Sequence, residues 1–515
     1  MYYPVASSLY SVDPQIAKGD TAGIIVTNTF DGLVFVNEAG EIACAAAESY
    51  TLSPDGLIYT FSLRKDGQWL LSSKAKSALK EKLPESFDAR VTAYDFVFAL
   101  RRAIAPETKA DDAVLLSPIV NAEQILAGTL APEHLGVRAL SDFVLEIRLS
   151  QPQPRFLYTL ARPVAMPCNE IFFEACGGRY GLSLEYTLSN GPFYFSRWRE
   201  GISLCIAKNE DYTGARTATA EAAYLYVNTD TDDILKKLDS GPYNAAYLDN
   251  AAFAKLKRAE DYTVSSFENT VWAFVFNMAD ENFASHSLRR AVSLAINGEV
   301  LQSEAGQALA ERMVPPFCTP SFSKTFLPAR PVETNEDEAQ RELNAALTEL
   351  STSSFEVTLL CAEEHEKMLR LQMQEWQRIL GVNINVRLSP LPFDELKKAV
   401  EGGSYEFAFY PLTATGVDVQ DFFKMFLSGN TSNILKMQDE AYDNAYKALL
   451  KIHDGQQLKE ACSGLEKQLQ EQTAYVPVFF KPNYLVMRKE VQGIYLYSSP
   501  DTVYFTSAKY RAGSR

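Results

Sequence analysis

Histidine is scarce in this chain of 515 residues, which has only His134, His286, His365 and His453. None belongs to an HExxH helix or a close pair, so the signature of a zinc hydrolase is missing. The cysteines, Cys44, Cys168, Cys176, Cys205, Cys318, Cys361 and Cys462, include no CxxC pair. That removes the ligand spacing of a zinc ribbon or a thioredoxin-like site. A GxSxG elbow, a Walker A loop and a GxGxxG turn are all absent. Catalytic triads assemble from distant positions, so missing motifs alone do not exclude an enzyme. Nothing names a reaction, however, and the expectation is a non-enzyme with no cofactor and no metal. The acidic TDTDD run ending at Asp233 lacks the glycine and distant glutamate of a calcium loop.

Positive charge is also in deficit. With 49 basic and 65 acidic side chains the net charge is −16, which excludes a broad nucleic-acid surface. No apolar run approaches the roughly 20 residues of a membrane helix. The opening MYYPVASSLYSVDP has neither a basic n-region nor an apolar h-region. Either the protein is cytoplasmic or the chain begins after an exported leader.

What is present describes a large globular protein. A 47% hydrophobic and 22% charged composition argues against bulk disorder, and the length suits two to four domains. A core of that size needs no disulfide framework; the spacing leaves one local bridge open, Cys168 with Cys176. Seven cysteines are many for an exported protein in an oxidising habitat, and a reducing or anaerobic one would fit.

The segment Glu48 to Pro106 is the most informative. Ser53-Pro54-Asp55-Gly56 is a turn feeding a period-2 run, with Tyr59, Phe61 and Leu63 on one face, which predicts a hairpin and a half-buried strand. The period then changes. Phe96, Val97, Leu100, Ala103 and Ile104 fall at helical spacing behind Thr92 and Asp95, a capping box with Asp in the Glu position. Residues 72 to 91 read as a polar surface insertion.

The order and spacing of Ala47-Glu48-Ser49, Asp55-Gly56, Tyr59-Thr60-Phe61, Leu63-Arg64, Trp69, Thr92-Ala93, Asp95 and Arg101 resemble the type 5 extracellular solute-binding proteins of ABC importers. That family includes oligopeptide- and dipeptide-binding proteins. Further segments carry the resemblance along essentially the whole chain. Phe30-Asp31-Gly32-Leu33 stands in an opening turn, where Gly32 also reads as a left-handed helix C-cap. Asn190-Gly191-Pro192, Trp198, Gly201, Asn209 and Tyr212 match a second segment, with Trp198 read as core. Phe276-Asn277, Phe283, Arg289 or Arg290, and Ala295-Ile296-Asn297 match a third, and Tyr475 to Phe480 a returning strand. Between these, FEVTLLCA, a long helix and VNINVRLSPL form a βαβ order that predicts parallel strands, and a helical run covers Asp439 to Gln470. Glu363-Glu364-His365-Glu366 reads as solvated charge at a helix start.

The resemblance implies an α/β, two-lobed periplasmic-binding-protein fold, class II-like, with a small inserted domain. Residues 1–40, 169–270 and 484–515 would form a discontinuous domain I, 41–168 the inserted domain II, and 271–483 domain III. It implies a monomeric protein outside the cytoplasm, periplasmic or lipid-anchored, peripheral to the membrane and serving an importer permease. The ligand wall it implies is Thr29, Phe30, Asp31 and Gly32 from one lobe, and Leu412, Thr413, Ala414, Thr415 and Asp418 from the other, with Asn269 and Thr270 at the hinge. In peptide-binding relatives a tryptophan lies at the position of Leu412, and an aspartate that pairs with the peptide's α-amino group lies at that of Thr415. The missing carboxylate is a departure from that device, because a buried ammonium needs a counter-charge; Asp418 is the alternative. The ligand is therefore a peptide or peptide-like solute, or else an N-blocked peptide, an opine, a sugar or a metal chelate. A degenerate sensor or adhesion module is the reading of another class.

Overall fold

A computed structural model describes the chain except for residues 39–40, 86, 154, 306–307, 317–333, 415–418, 453–454, 497–501 and 512–515. The described chain divides into two compact units, Met1–Ser266 with Tyr484–Arg515, and Phe267–Asn483. The boundaries fall in or at the ends of two long strands, Tyr262–Phe276 and Tyr475–Arg488.

The first unit contains two four-stranded sheets. One runs in the order Tyr2–Val5, Ala222–Val227, Ser203–Lys208, Phe193–Arg199; the other runs Ala47–Leu52, Ile58–Leu63, Val144–Arg148, Val137–Ser141. In Ile58–Leu63 the alternation sends Tyr59, Phe61 and Leu63 into the core, and the Pro-Asp-Gly turn before it has Gly56 at φ 73°. The helix Ala93–Ile104 begins as its cap predicts, with the Asp95 carboxylate accepting the Thr92 N–H at 2.7 Å. One buried apolar cluster joins this helix and sheet to Val26 on the helix Asp20–Thr29 and to Phe30, which follows it.

The second unit is built on strands in the order Tyr475–Arg488, Tyr262–Phe276, Phe407–Thr413, Phe355–Ala362, Ile384–Leu391. Phe355–Ala362 and Ile384–Leu391 are parallel neighbours joined through the helix Glu366–Leu380, as the βαβ order predicts. That helix packs Trp376 edge-on against Phe274, at 5.5 Å between ring centres, while its indole N–H donates to the Val292 carbonyl.

Several expectations need correction. Gly32 does not have positive φ; the helix ends on extended Phe30. Glycine is needed there for room, since a Cβ would lie 3.1 Å from both the Leu160 carbonyl and Met166 Sδ. The polar stretch after residue 72 is not merely an insertion: it forms the helix Ser73–Ala78 and buries Ala75 and Leu79. The run Asp439 to Gln470 is two helices, Glu440–Leu449 and Gly455–Glu471. Trp198 is half-buried beside Phe195 rather than core. Cys168 and Cys176 are both free thiols whose burial pushes each up to about 12, so the local bridge is not formed.

Candidate functional site

Thr29, Phe30, Asp31 and Gly32 lie on one turn of the first unit, and that turn is tightly bound from within. Its backbone is held by Asn190, whose amide oxygen accepts the Asp31 N–H at 3.0 Å and whose amide donates to the Asp31 carbonyl at 2.9 Å. Gly191 donates to the Thr29 carbonyl at 2.9 Å, and a Cβ on Gly191 would lie 2.7 Å from the Thr29 carbonyl carbon. This close approach explains the Asn-Gly pair in the second matched segment.

The Asp31 carboxylate is buried and doubly occupied. Arg216 Nε donates to Oδ1 at 2.8 Å, and the Tyr212 hydroxyl donates to Oδ2 at 2.6 Å. Arg216 also donates to the Thr27 and Phe30 carbonyls at 2.8 and 2.5 Å. Burial disfavours the Arg216 charge, but Asp31 more than restores it and holds the guanidinium protonated. Asp31 is thus an ion-pair partner whose charge is already matched inside its own unit. Local sequence could not reveal Arg216, which is 185 positions away.

In the second unit the structure brings Asn269, Thr270, Leu412, Thr413 and Ala414 together. Thr270 pairs with Thr413 and Val271 with Leu412 across antiparallel strands. The two threonine hydroxyls are 2.9 Å apart, and Ala414 donates to the Asn269 carbonyl at 2.8 Å. Leu412 and Ala414 are buried and Thr413 is partly exposed. Thr415 and Asp418 lie outside the described residues.

Sequence reasoning missed Asn483, which closes this cluster by donating to Asn269 Oδ1 at 2.7 Å and Thr270 Oγ1 at 2.8 Å. Asn483→Ala removes both bonds from a buried position. The expected loss is about 1–3 kcal/mol of stability, read by hydrogen exchange of the full chain at residues 267–483.

A second group is also absent from the expectations. Lys481 lies 4.8 Å from the Trp272 ring centre and 3.3 Å from Glu364 Oε1. Its ammonium donates to His365 Nε2 at 3.1 Å. His365 is only 5% exposed, which corrects its reading as solvated helix-start charge. Burial first, and then the adjacent ammonium, push the imidazole down to about 3, so it is neutral at physiological pH. The ring fills a place between Trp272, Phe409 and Phe479.

No group of three or more candidate metal ligands occurs among the described residues. No described helix is long and apolar enough to cross a membrane.

A family model described as bacterial extracellular solute-binding proteins, family 5 Middle, matches residues 41–433. The chain is 24% identical to a dipeptide-binding protein of Lactococcus lactis subsp. cremoris, over 96% of this chain and 92% of that protein. It is also 24% identical to YgiS of Escherichia coli, named a probable deoxycholate-binding periplasmic protein, over 96% and 90% of the two chains. Among solved structures, Haemophilus influenzae OppA in complex with RPPGFSPFR superposes with a TM-score of 0.80 at 22% identity, covering 99% of this chain and 98% of that one. This likeness shows the α/β fold of the two-lobed solute-binding proteins.

Proposed function

Because the chain belongs to the family 5 bacterial extracellular solute-binding proteins, we propose that it captures a peptide or peptide-like solute outside the cytoplasm and delivers it to the permease of an ABC importer. The family match along most of the chain carries this reading, together with relatives named for dipeptide and oligopeptide binding. On this reading it is a monomeric carrier without catalytic turnover, periplasmic or lipid-anchored at the outer face of the membrane. The division proposed for it is an inserted domain II, 41–168, within domain I, and a domain III from 271 to 483.

The ligand wall proposed is the turn Thr29, Phe30, Asp31 and Gly32, with Asn269, Thr270, Leu412, Thr413, Ala414, Thr415 and Asp418. Extended peptide backbone is recognised by main-chain hydrogen bonds of the kind that add a strand, with pockets for alternate side chains. In the first turn the contribution would come from backbone and shape, because the Asp31 charge is already matched by Arg216. The Lys481–Trp272 group supplies a cation beside an aromatic face.

A second reading replaces the peptide by a non-peptide solute. Two points favour it: the resemblance puts Thr415 in the slot of an aspartate, and one relative is named as a probable deoxycholate-binding protein. Native mass spectrometry of the purified protein against its denatured mass separates the readings. A ladder of adducts with masses of short peptides is the expected result. A single discrete non-peptide mass would overturn the peptide reading and identify the solute class. No adduct, together with no thermal shift from a peptide library, would count against solute capture altogether.

A further inference from the structure

We propose that Glu466 is a proton-controlled latch: as a neutral acid it holds the segment from Leu309 to Val314 against the strand Tyr475–Arg488, and its ionisation loosens that segment. This inference does not depend on what the protein binds.

Glu466 lies on the helix Gly455–Glu471 and is 1% exposed. Its Oε1 accepts the Met313 N–H at 3.1 Å. Its Oε2 has no hydrogen-bond partner among the described residues. The same segment is pinned at two further points. Ala310 donates to the Val478 carbonyl at 2.8 Å, and the Tyr475 hydroxyl donates to the Met313 carbonyl at 3.1 Å. Ala310, Met313 and Val314 are buried, so this is a docked stretch of chain rather than a surface loop.

The asymmetry of the two oxygens decides the protonation state. A neutral acid leaves one O–H without an acceptor, a modest cost. A carboxylate leaves negative charge on an oxygen with no donor, which costs more. Among the described residues the charged group that acts on it is Arg312, on the docked segment, and its attraction is the smallest influence on the carboxyl. The strand contributes Tyr475, whose hydroxyl donates to the Met313 carbonyl and carries no positive charge. Burial dominates and pushes the carboxyl up to about 7.

The sign follows from linkage. With the segment docked the carboxyl titrates near 7; with it undocked and hydrated it returns towards its ordinary 4.5. Docking is therefore fully supported below the undocked value and loses support as pH rises through the docked value. Between pH 5.5 and 8 the docking equilibrium should fall roughly 30-fold.

Amide hydrogen exchange of the full chain, corrected for intrinsic rates, tests this at Ala310 and Met313. The expected result is a fall of about 30-fold in protection between those pH values, with amides of Phe274 and Phe409 unchanged. In Glu466→Gln, which mimics the neutral acid, protection should be flat across the range. Wild-type protection that does not change, or the same dependence in both proteins, overturns the proposal. Should Glu466→Gln fail to fold, a carbon-13 carboxyl titration of the wild type decides: a midpoint near 7 supports the latch, and one near 4.5 overturns it.

Discussion

Asp31→Ala is expected to destabilise the first unit by about 3–5 kcal/mol, the range for removing one partner of a buried ion pair. The loss is large because Arg216 stays behind. Its guanidinium is buried against the Thr27 and Phe30 carbonyls and is left without its counter-charge. The Tyr212 hydroxyl loses its acceptor at the same time. Arg216→Met should cost a similar amount, because it strands the Asp31 carboxylate instead. The double variant should be less destabilised than the sum of the two, since neither charge is then left alone. Hydrogen exchange resolved to residues 1–266 is the measurement of choice, because a chain of two units need not unfold as one transition. Additive losses would mean that the pair is not the source of the effect.

Arg289→Met should weaken the second unit by about 3–5 kcal/mol, for a different reason. Arg289 is 3% exposed and holds main-chain carbonyls instead of a carboxylate. Its Nη1 donates to Phe283 at 2.6 Å and Ala284 at 3.0 Å, and its Nε and Nη2 donate to Gln472 at 3.2 and 2.9 Å. Gln472 immediately follows the helix Gly455–Glu471, where the helix dipole favours a cation. Burial pushes the guanidinium down to about 10, which still leaves it charged at neutral pH. Methionine fills much of the space but leaves three carbonyls without their donor. Arg289→Lys should recover only part of the loss, because one ammonium cannot reproduce the planar fork. The check is hydrogen exchange of the full chain resolved to residues 267–483, which reads this unit by itself. A change below about 1 kcal/mol would mean that water replaces the guanidinium there.

Much of the fold was legible because its information is local. The alternation of Tyr59, Phe61 and Leu63, and the cap formed by Thr92 and Asp95, specify a strand and a helix with no knowledge of the rest of the chain. The order from Phe355 to Leu391 specifies parallel neighbours, because an intervening helix makes the crossover. Family membership was legible for the same reason, since ordered short segments survive in sequence. Of the candidate site, the resemblance places Leu412, Thr413 and Ala414 on a ligand wall and Asn269 and Thr270 at a hinge; the structure pairs the two groups across neighbouring strands, Thr270 with Thr413 143 positions away.

What sequence could not give was the partner of each polar group. The resemblance places Asp31 on a ligand wall with no partner for its side chain, and only the fold brings Arg216 and Tyr212 to it. His365 sits in a run of glutamates that reads as solvated, yet it turns inward between Trp272 and Phe409. The sequence by itself determined the elements, their order and the family, because period, caps and turn residues act over a few positions. Only the tertiary structure decided which charges are matched, which imidazole is neutral and which carboxyl is poised to titrate. Those outcomes depend on desolvation and on donors and acceptors that converge only when distant segments pack together.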